Sequence, residues 1–110
     1  MQNHFIAVND LGALEDLTAR SAVVPIIIFK HSTTCPLSAD AYGEMERMPG
    51  PVALVEVQNG REVSREIAAR TGIEHQSPQV IILRNGKAVW HASHWNIKTE
   101  AVEQAAREFA

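Results

Sequence analysis

Pro25-Ile26-Ile27-Ile28-Phe29-Lys30-His31-Ser32-Thr33-Thr34-Cys35-Pro36-Leu37-Ser38 carries a β-branched block into a polar turn and then a proline-led helix start. The continuous apolar run from Val23 to Phe29 predicts a strand covered on both faces, because a half-exposed strand would alternate. Pro25 falls near the start of that run, where a missing N–H does least harm. Cys35 is the only cysteine in the chain, and it sits where strand gives way to helix. A sulfur at that junction faces the unpaired N–H groups of the first helical turn, and the helix dipole there favours an anion. Such surroundings favour the reactive thiolate. Pro36 suits the next position, since its fixed φ starts a helix and its absent N–H would have had no partner. The competing reading makes Cys35 a small apolar packing residue, as lone cysteines usually are.

The flanking chain alternates. His4 to Val8 can form a short strand, and Asn9 or Asp10 can cap a helix through Leu11, Leu14, Leu17 and Ala19. After Cys35 a helix runs from Pro36 to about Met48, stopped by Pro49-Gly50-Pro51. Val52 to Val57 is a second β-branched strand, broken by Asn59-Gly60. A helix follows through Val63, Ile67 and Ala68, with Arg61, Glu62, Arg65, Glu66 and Arg70 on its wet side and Thr71-Gly72 as its end. Gln79 to Leu83 and Lys87 to His91 flank Asn85-Gly86, a strong hairpin signal. Lys98 to Phe109 is an amphipathic helix. The order β-α-β-α-β-α-β-β-α predicts one α/β domain over residues 1–110, with a central mixed sheet flanked by helices. Cys35 then lies at the carboxyl edge of the sheet, where open α/β folds place their sites.

Composition narrows the function classes. The chain has 110 residues and a net charge of −3, with 45% hydrophobic and 21% charged residues, enough for one core and typical of a soluble globule. Scattered Lys and Arg argue against nucleic-acid binding. No apolar run approaches membrane-spanning length, and the start lacks the pattern of a signal peptide. One cysteine forms no internal disulfide, so the expectation is a cytoplasmic protein.

The layout resembles the thioredoxin fold over essentially the whole chain. Gly72-Ile73-Glu74-His75-Gln76-Ser77-Pro78 before the hairpin strand is similar to the thioredoxin segment that carries a cis-proline. The resemblance implies that Pro78 is that proline and that Ser77 offers backbone groups to an extended substrate. Two departures are informative. Ser38 stands where thioredoxins carry their second cysteine, and Phe29 where they carry a buried Asp. Without a resolving thiol, a dithiol mechanism within one chain is excluded. Together with Ser77-Pro78-Gln79 and Trp90-His91-Ala92-Ser93-His94-Trp95-Asn96-Ile97, the Lys30–Ser38 segment resembles the monothiol bacilliredoxins of the bacillithiol system. That implies a thioredoxin-like oxidoreductase using Cys35 to remove or transfer a low-molecular-weight thiol, such as bacillithiol, on protein cysteines. Its partners would be S-thiolated proteins and the small thiol as co-substrate, with no resident cofactor, no nucleic acid and no membrane.

Around the sulfur, His31, Thr34 and Ser38 are candidate supporting groups. A cationic imidazole at His31 would stabilise a thiolate and a neutral one could take the thiol proton; the hydroxyls could donate hydrogen bonds. His91 and His94 have a spacing that metal ligands sometimes use, yet with one distant thiol they make no zinc pattern. Trp90 and Trp95 read as packing or edge-covering residues, and Met45 and Met48 as core or cap residues of the second helix. Two other function classes stand beside exchange. One is a non-catalytic thioredoxin-like protein-binding module. The other is a monothiol-glutaredoxin-like iron–sulfur carrier, disfavoured because a cluster takes four ligands and this chain offers one.

Overall fold

The computed structural model describes residues 4–110. In chain order its elements are β1 (Phe5–Ala7), α1 (Leu11–Arg20), β2 (Ile26–His31), α2 (Pro36–Glu46), β3 (Val52–Glu56), α3 (Arg61–Thr71), β4 (Gln79–Arg84), β5 (Lys87–Ser93) and α4 (Thr99–Glu108). A 3₁₀ turn, His94–Asn96, joins β5 to α4 and had no counterpart in the sequence reading. The five strands form one mixed sheet in the order β1-β3-β2-β4-β5. β2 lies at its centre, parallel to β3 and antiparallel to β4. The fold is α/β, with helices on both faces.

The central strand begins and ends later than its apolar run suggests. Val23 and Val24 are 75% and 43% exposed, and their N–H groups bond back to the Arg20 carbonyl as a turn after α1. Pro25 explains the shift, since it cannot donate to a central ladder and the strand starts just after it. At the other end Lys30 and His31 stay in the strand, paired with Val55 and Glu56 of β3. Polar residues there hid two further positions of strand.

Alternation along β2 divides the core into two layers. Ile27 and Phe29 enter the face covered by α2 and α4, where they meet Met45, Met48, Val102 and Ala105. Ile26 and Ile28 enter the opposite face, against Leu14 and Leu17 of α1 and Val63 and Ile67 of α3. Both faces are filled, which is why the strand reads as a continuous apolar run.

Local chemistry sets the element ends. Asp10 Oδ1 accepts the Ala13 N–H at 2.8 Å and starts α1. Gly72 closes α3 at φ 73°, a left-handed position that suits glycine. Asn85 and Gly86 take φ of 57° and 75°, the pair of positive angles that a tight hairpin turn requires. Lys98 gives α4 no side-chain cap. Instead Glu44 of α2 accepts the Thr99 N–H at 2.7 Å, which fastens α4 to α2.

Candidate active site

The site is assembled at the carboxyl end of β2. After His31 the chain turns through Ser32, Thr33 and Thr34, and Cys35 becomes the N-cap residue of α2 with Pro36 in the first helical turn. Its φ of −102° and ψ of 122° are extended, so Cys35 stands one step before the helix rather than within it. The sulfur makes no capping hydrogen bond, and the residue is partly exposed. The cysteine is therefore not the fully buried packing residue of the competing reading.

Hydrogen bonds fix the turn from two sides. The Ser32 N–H donates to Ser38 Oγ at 3.1 Å, and Ser38 is fully buried in α2. On the other side Gln58, just past β3, accepts from the Thr33 N–H at 3.3 Å. Its amide nitrogen donates to Ser32 Oγ at 2.9 Å and to Thr34 Oγ1 at 3.3 Å. Thr34 and Ser38 thus hold the loop that presents Cys35. Gln58 does comparable work and escaped the sequence reading, because nothing in a lone glutamine after a strand marks a long-range clamp.

His31 is buried beneath this turn. Its ring lies 4.9 Å from that of Tyr42 and 5.4 Å from that of Phe29. Burial lowers its pKa, opposed by the Glu56 carboxylate and by the Ser38 backbone beside it. At neutral pH the imidazole is therefore neutral. Of the two roles open to it, the proton-accepting one matches that charge state.

Pro78 lies beside the same strand end. Lys30 pairs with Gln79 in the β2–β4 ladder, which sets the Ser77–Pro78 segment next to the start of the Cys35 turn. The Ser77–Pro78 peptide bond is cis, and the Pro78 carbonyl accepts the His94 N–H at 3.1 Å. The segment from Trp90 to Ile97 is thereby tied to the site through its backbone. Trp95, expected to pack or to cover an edge, has 69% of its surface exposed and does not pack into the core; Trp90 packs partly buried against the core. Among the described residues no group of three or more His, Cys, Asp or Glu side chains converges to hold a metal ion.

Lys30 has no exposed surface at all. Its Nζ has no hydrogen-bond partner among the described residues, and burial lowers its pKa from the ordinary 10.5 to about 8. It shares a sheet face with Gln79, whose Oε1 is also without a partner. The sequence offered one signal for this, a single charge adjoining a continuous apolar strand.

Fold and site together define a thioredoxin-fold protein with one cysteine at the head of its second helix. Residues 6–102 match the monothiol bacilliredoxin family, BrxC, and the chain belongs to it. A protein described as a candidate oxidoreductase with a thioredoxin fold is similar at 29% identity and a TM-score of 0.86, over 93% of each chain. A mutant thioredoxin from Halobacterium salinarum NRC-1 matches at 12% identity and a TM-score of 0.76, covering 96% of this chain and 90% of its own. Fasciola hepatica thioredoxin matches at 15% identity and a TM-score of 0.73, covering 94% of this chain and 98% of its own. The last two show the fold alone. Family and fold support a thiol redox function. Among the described residues no helix is long and apolar enough to cross a membrane.

Proposed function

We propose that the protein catalyses monothiol exchange through Cys35, taking a low-molecular-weight thiol such as bacillithiol off protein cysteines. The observation that carries this reading is the partly exposed Cys35 at the N-cap of α2, with Ser38 in place of a resolving cysteine. In the first step Cys35 thiolate attacks the small-thiol sulfur of a protein mixed disulfide. A new S–S bond forms to Cys35, the old one breaks, and the protein thiolate leaves and takes a proton from water. In the second step another small-thiol thiolate attacks the same sulfur, frees Cys35 and departs as the symmetric disulfide. The reducing equivalent that frees the target thiol comes from that second small thiol, whose sulfur ends oxidised in the symmetric disulfide. His31, neutral and beneath the turn, accepts the proton of the resting thiol. Ser77 and Pro78 form the wall along which an extended target lies. A single unpaired thiol suits a reducing compartment, and we place the protein in the cytoplasm on that chemistry.

The test is a panel of low-molecular-weight disulfides and one S-thiolated protein, followed by intact-mass spectrometry. The expected result is one adduct per chain, confined to Cys35, with release of the protein thiol. The Cys35→Ser variant should lose transfer to the detection limit. Transfer by that variant at the wild-type rate would overturn the proposal.

A further inference from the structure

Beside the Cys35 turn lies a cavity of about 690 Å³ with Gln58, Arg61, Ser64, Arg65 and His75 among its lining residues. Its size falls within the range of small-molecule sites, about 300–1,000 Å³. Gln58 belongs both to this cavity and to the clamp on Ser32, Thr33 and Thr34. One wall of the cavity is therefore fastened to the three residues before Cys35.

The lining is cationic and its charges are free. Arg47, Arg70 and Arg107 each bond a carboxylate, Arg70 joining Glu15 and Glu66. Arg61 and Arg65, one turn apart at the start of α3, make no ion pair among the described residues, and no acidic residue lines the cavity. Glu66 is engaged by Arg70. Gly60 provides no side-chain cap for the first turn of α3, so the positive end of that helix faces the same region.

The deeper layer also lacks partners. Ser64 is 5% exposed and lines the cavity, yet its Oγ has no hydrogen-bond partner among the described residues. A buried hydroxyl left in that state is uncommon and points to a group that completes it. Lys30 lies close enough to His75, on the cavity wall, for its charge to help burial lower the His75 pKa. Two guanidinium forks, a hydroxyl and a nearby ammonium suit a carboxylate, which Arg binds in bidentate fashion.

We propose that this cavity binds a carboxylate of the low-molecular-weight thiol, so that the site selects an anionic small thiol over a neutral one. The inference rests on the exchange reading above, which leaves the small thiol's chemistry open. An acidic side chain of the target protein is the rival source of the same group. The tie of the cavity wall, through Gln58, to the three residues before Cys35 favours the small molecule, whose sulfur must reach Cys35.

Binding and exchange are tested separately. In the Cys35→Ser background, S-methylglutathione, an unreactive dicarboxylate, is titrated by NMR against chains with and without Arg61→Gln/Arg65→Gln. Saturable shifts at Gln58, Ser64 and His75, weakened at least tenfold by the double substitution, are expected. No binding, or equal binding by both chains, overturns the proposal even if Cys35 exchanges thiols. Binding lost with the arginines upholds it even if Cys35 proves inert. With Cys35 present, the rate of mixed-disulfide formation is then compared for glutathione disulfide and uncharged 2-hydroxyethyl disulfide. The double variant should slow the first at least tenfold and leave the second within twofold. Arg20→Gln/Lys87→Gln removes equal charge at the opposite end of the sheet and should change neither. Charge sensitivity that follows acidic residues of a thiolated protein, and not the small disulfide, assigns the cavity to the target and sinks the proposal.

Discussion

Phe29 and Lys30 are neighbours on the central strand, both without solvent exposure, and they enter opposite faces of the sheet. On the Phe29 side the ring joins Met45, Val80 and Ile97 in an apolar layer, bounded toward the site by the buried His31 ring, whose Nδ1 has no partner among the described residues. On the Lys30 side the apolar layer stops short of the carboxyl end of the strands, where Ser64, Gln79 and Lys30 carry unpartnered polar atoms. The same backbone supports both. The difference teaches that burial on one strand has two uses here: the Phe29 face is mainly apolar and holds the fold, and the Lys30 face keeps more of the unmet polar groups beside the site. Buried polar atoms without partners cost stability, so the second face has lower stability than an apolar one of the same shape.

Four substitutions break or sharpen that contrast. Phe29→Ala should cost the most, about 3–5 kcal/mol in urea unfolding, through lost burial and the cavity left behind. A loss below about 1 kcal/mol would mean that the α2–α4 face is not closed. Lys30→Met should move the other way, raising stability at pH 7 by up to about 3 kcal/mol, the worth at ~1.4 kcal/mol per unit of the fall from 10.5 to about 8 that burial imposes on the amine. Its pH profile gives the cause. The folded amine loses its proton near pH 8 and the unfolded amine near 10.5, so the unfolded chain binds more protons between those values. Wild-type stability should therefore rise relative to Lys30→Met across that window. A parallel profile would show that the charge carries no penalty.

Smaller effects belong to positions outside the two layers. Glu44→Ala removes the carboxylate that accepts the Thr99 N–H and should cost about 1 kcal/mol, in the range of a lost helix cap. Amide exchange in the first turn of α4 should speed up selectively; uniform acceleration would show that the bond is not local. Val23→Ser should stay within about 0.5 kcal/mol, as exposed positions do. A larger loss would return Val23 to the core that the apolar run first suggested.

Much of this was legible in one dimension. The β-branched runs at β2 and β3, the Asn85-Gly86 turn and the helical spacing of Leu14 and Leu17 are short-range patterns, and their physics is local. They determined the element order, and with it the placement of Cys35 between a central strand and a helix. Lys30 and His31 were read as turn because polar residues rarely continue a buried strand. Only the ladder with β3 and β4 made them strand. Gln58 was silent because its hydrogen bonds cross about 25 residues of sequence and no short spacing encodes such a contact. Arg61 and Arg65 looked like an ordinary wet helix face. Their freedom from carboxylates, and the buried Ser64 beside them, exist only once α3 is packed against the sheet. The sequence by itself determined which thiol is available and what precedes it, because strand and helix signals are carried by neighbouring side chains. The tertiary structure alone decided what surrounds that thiol, because the partners of a buried polar group are chosen by packing between distant elements.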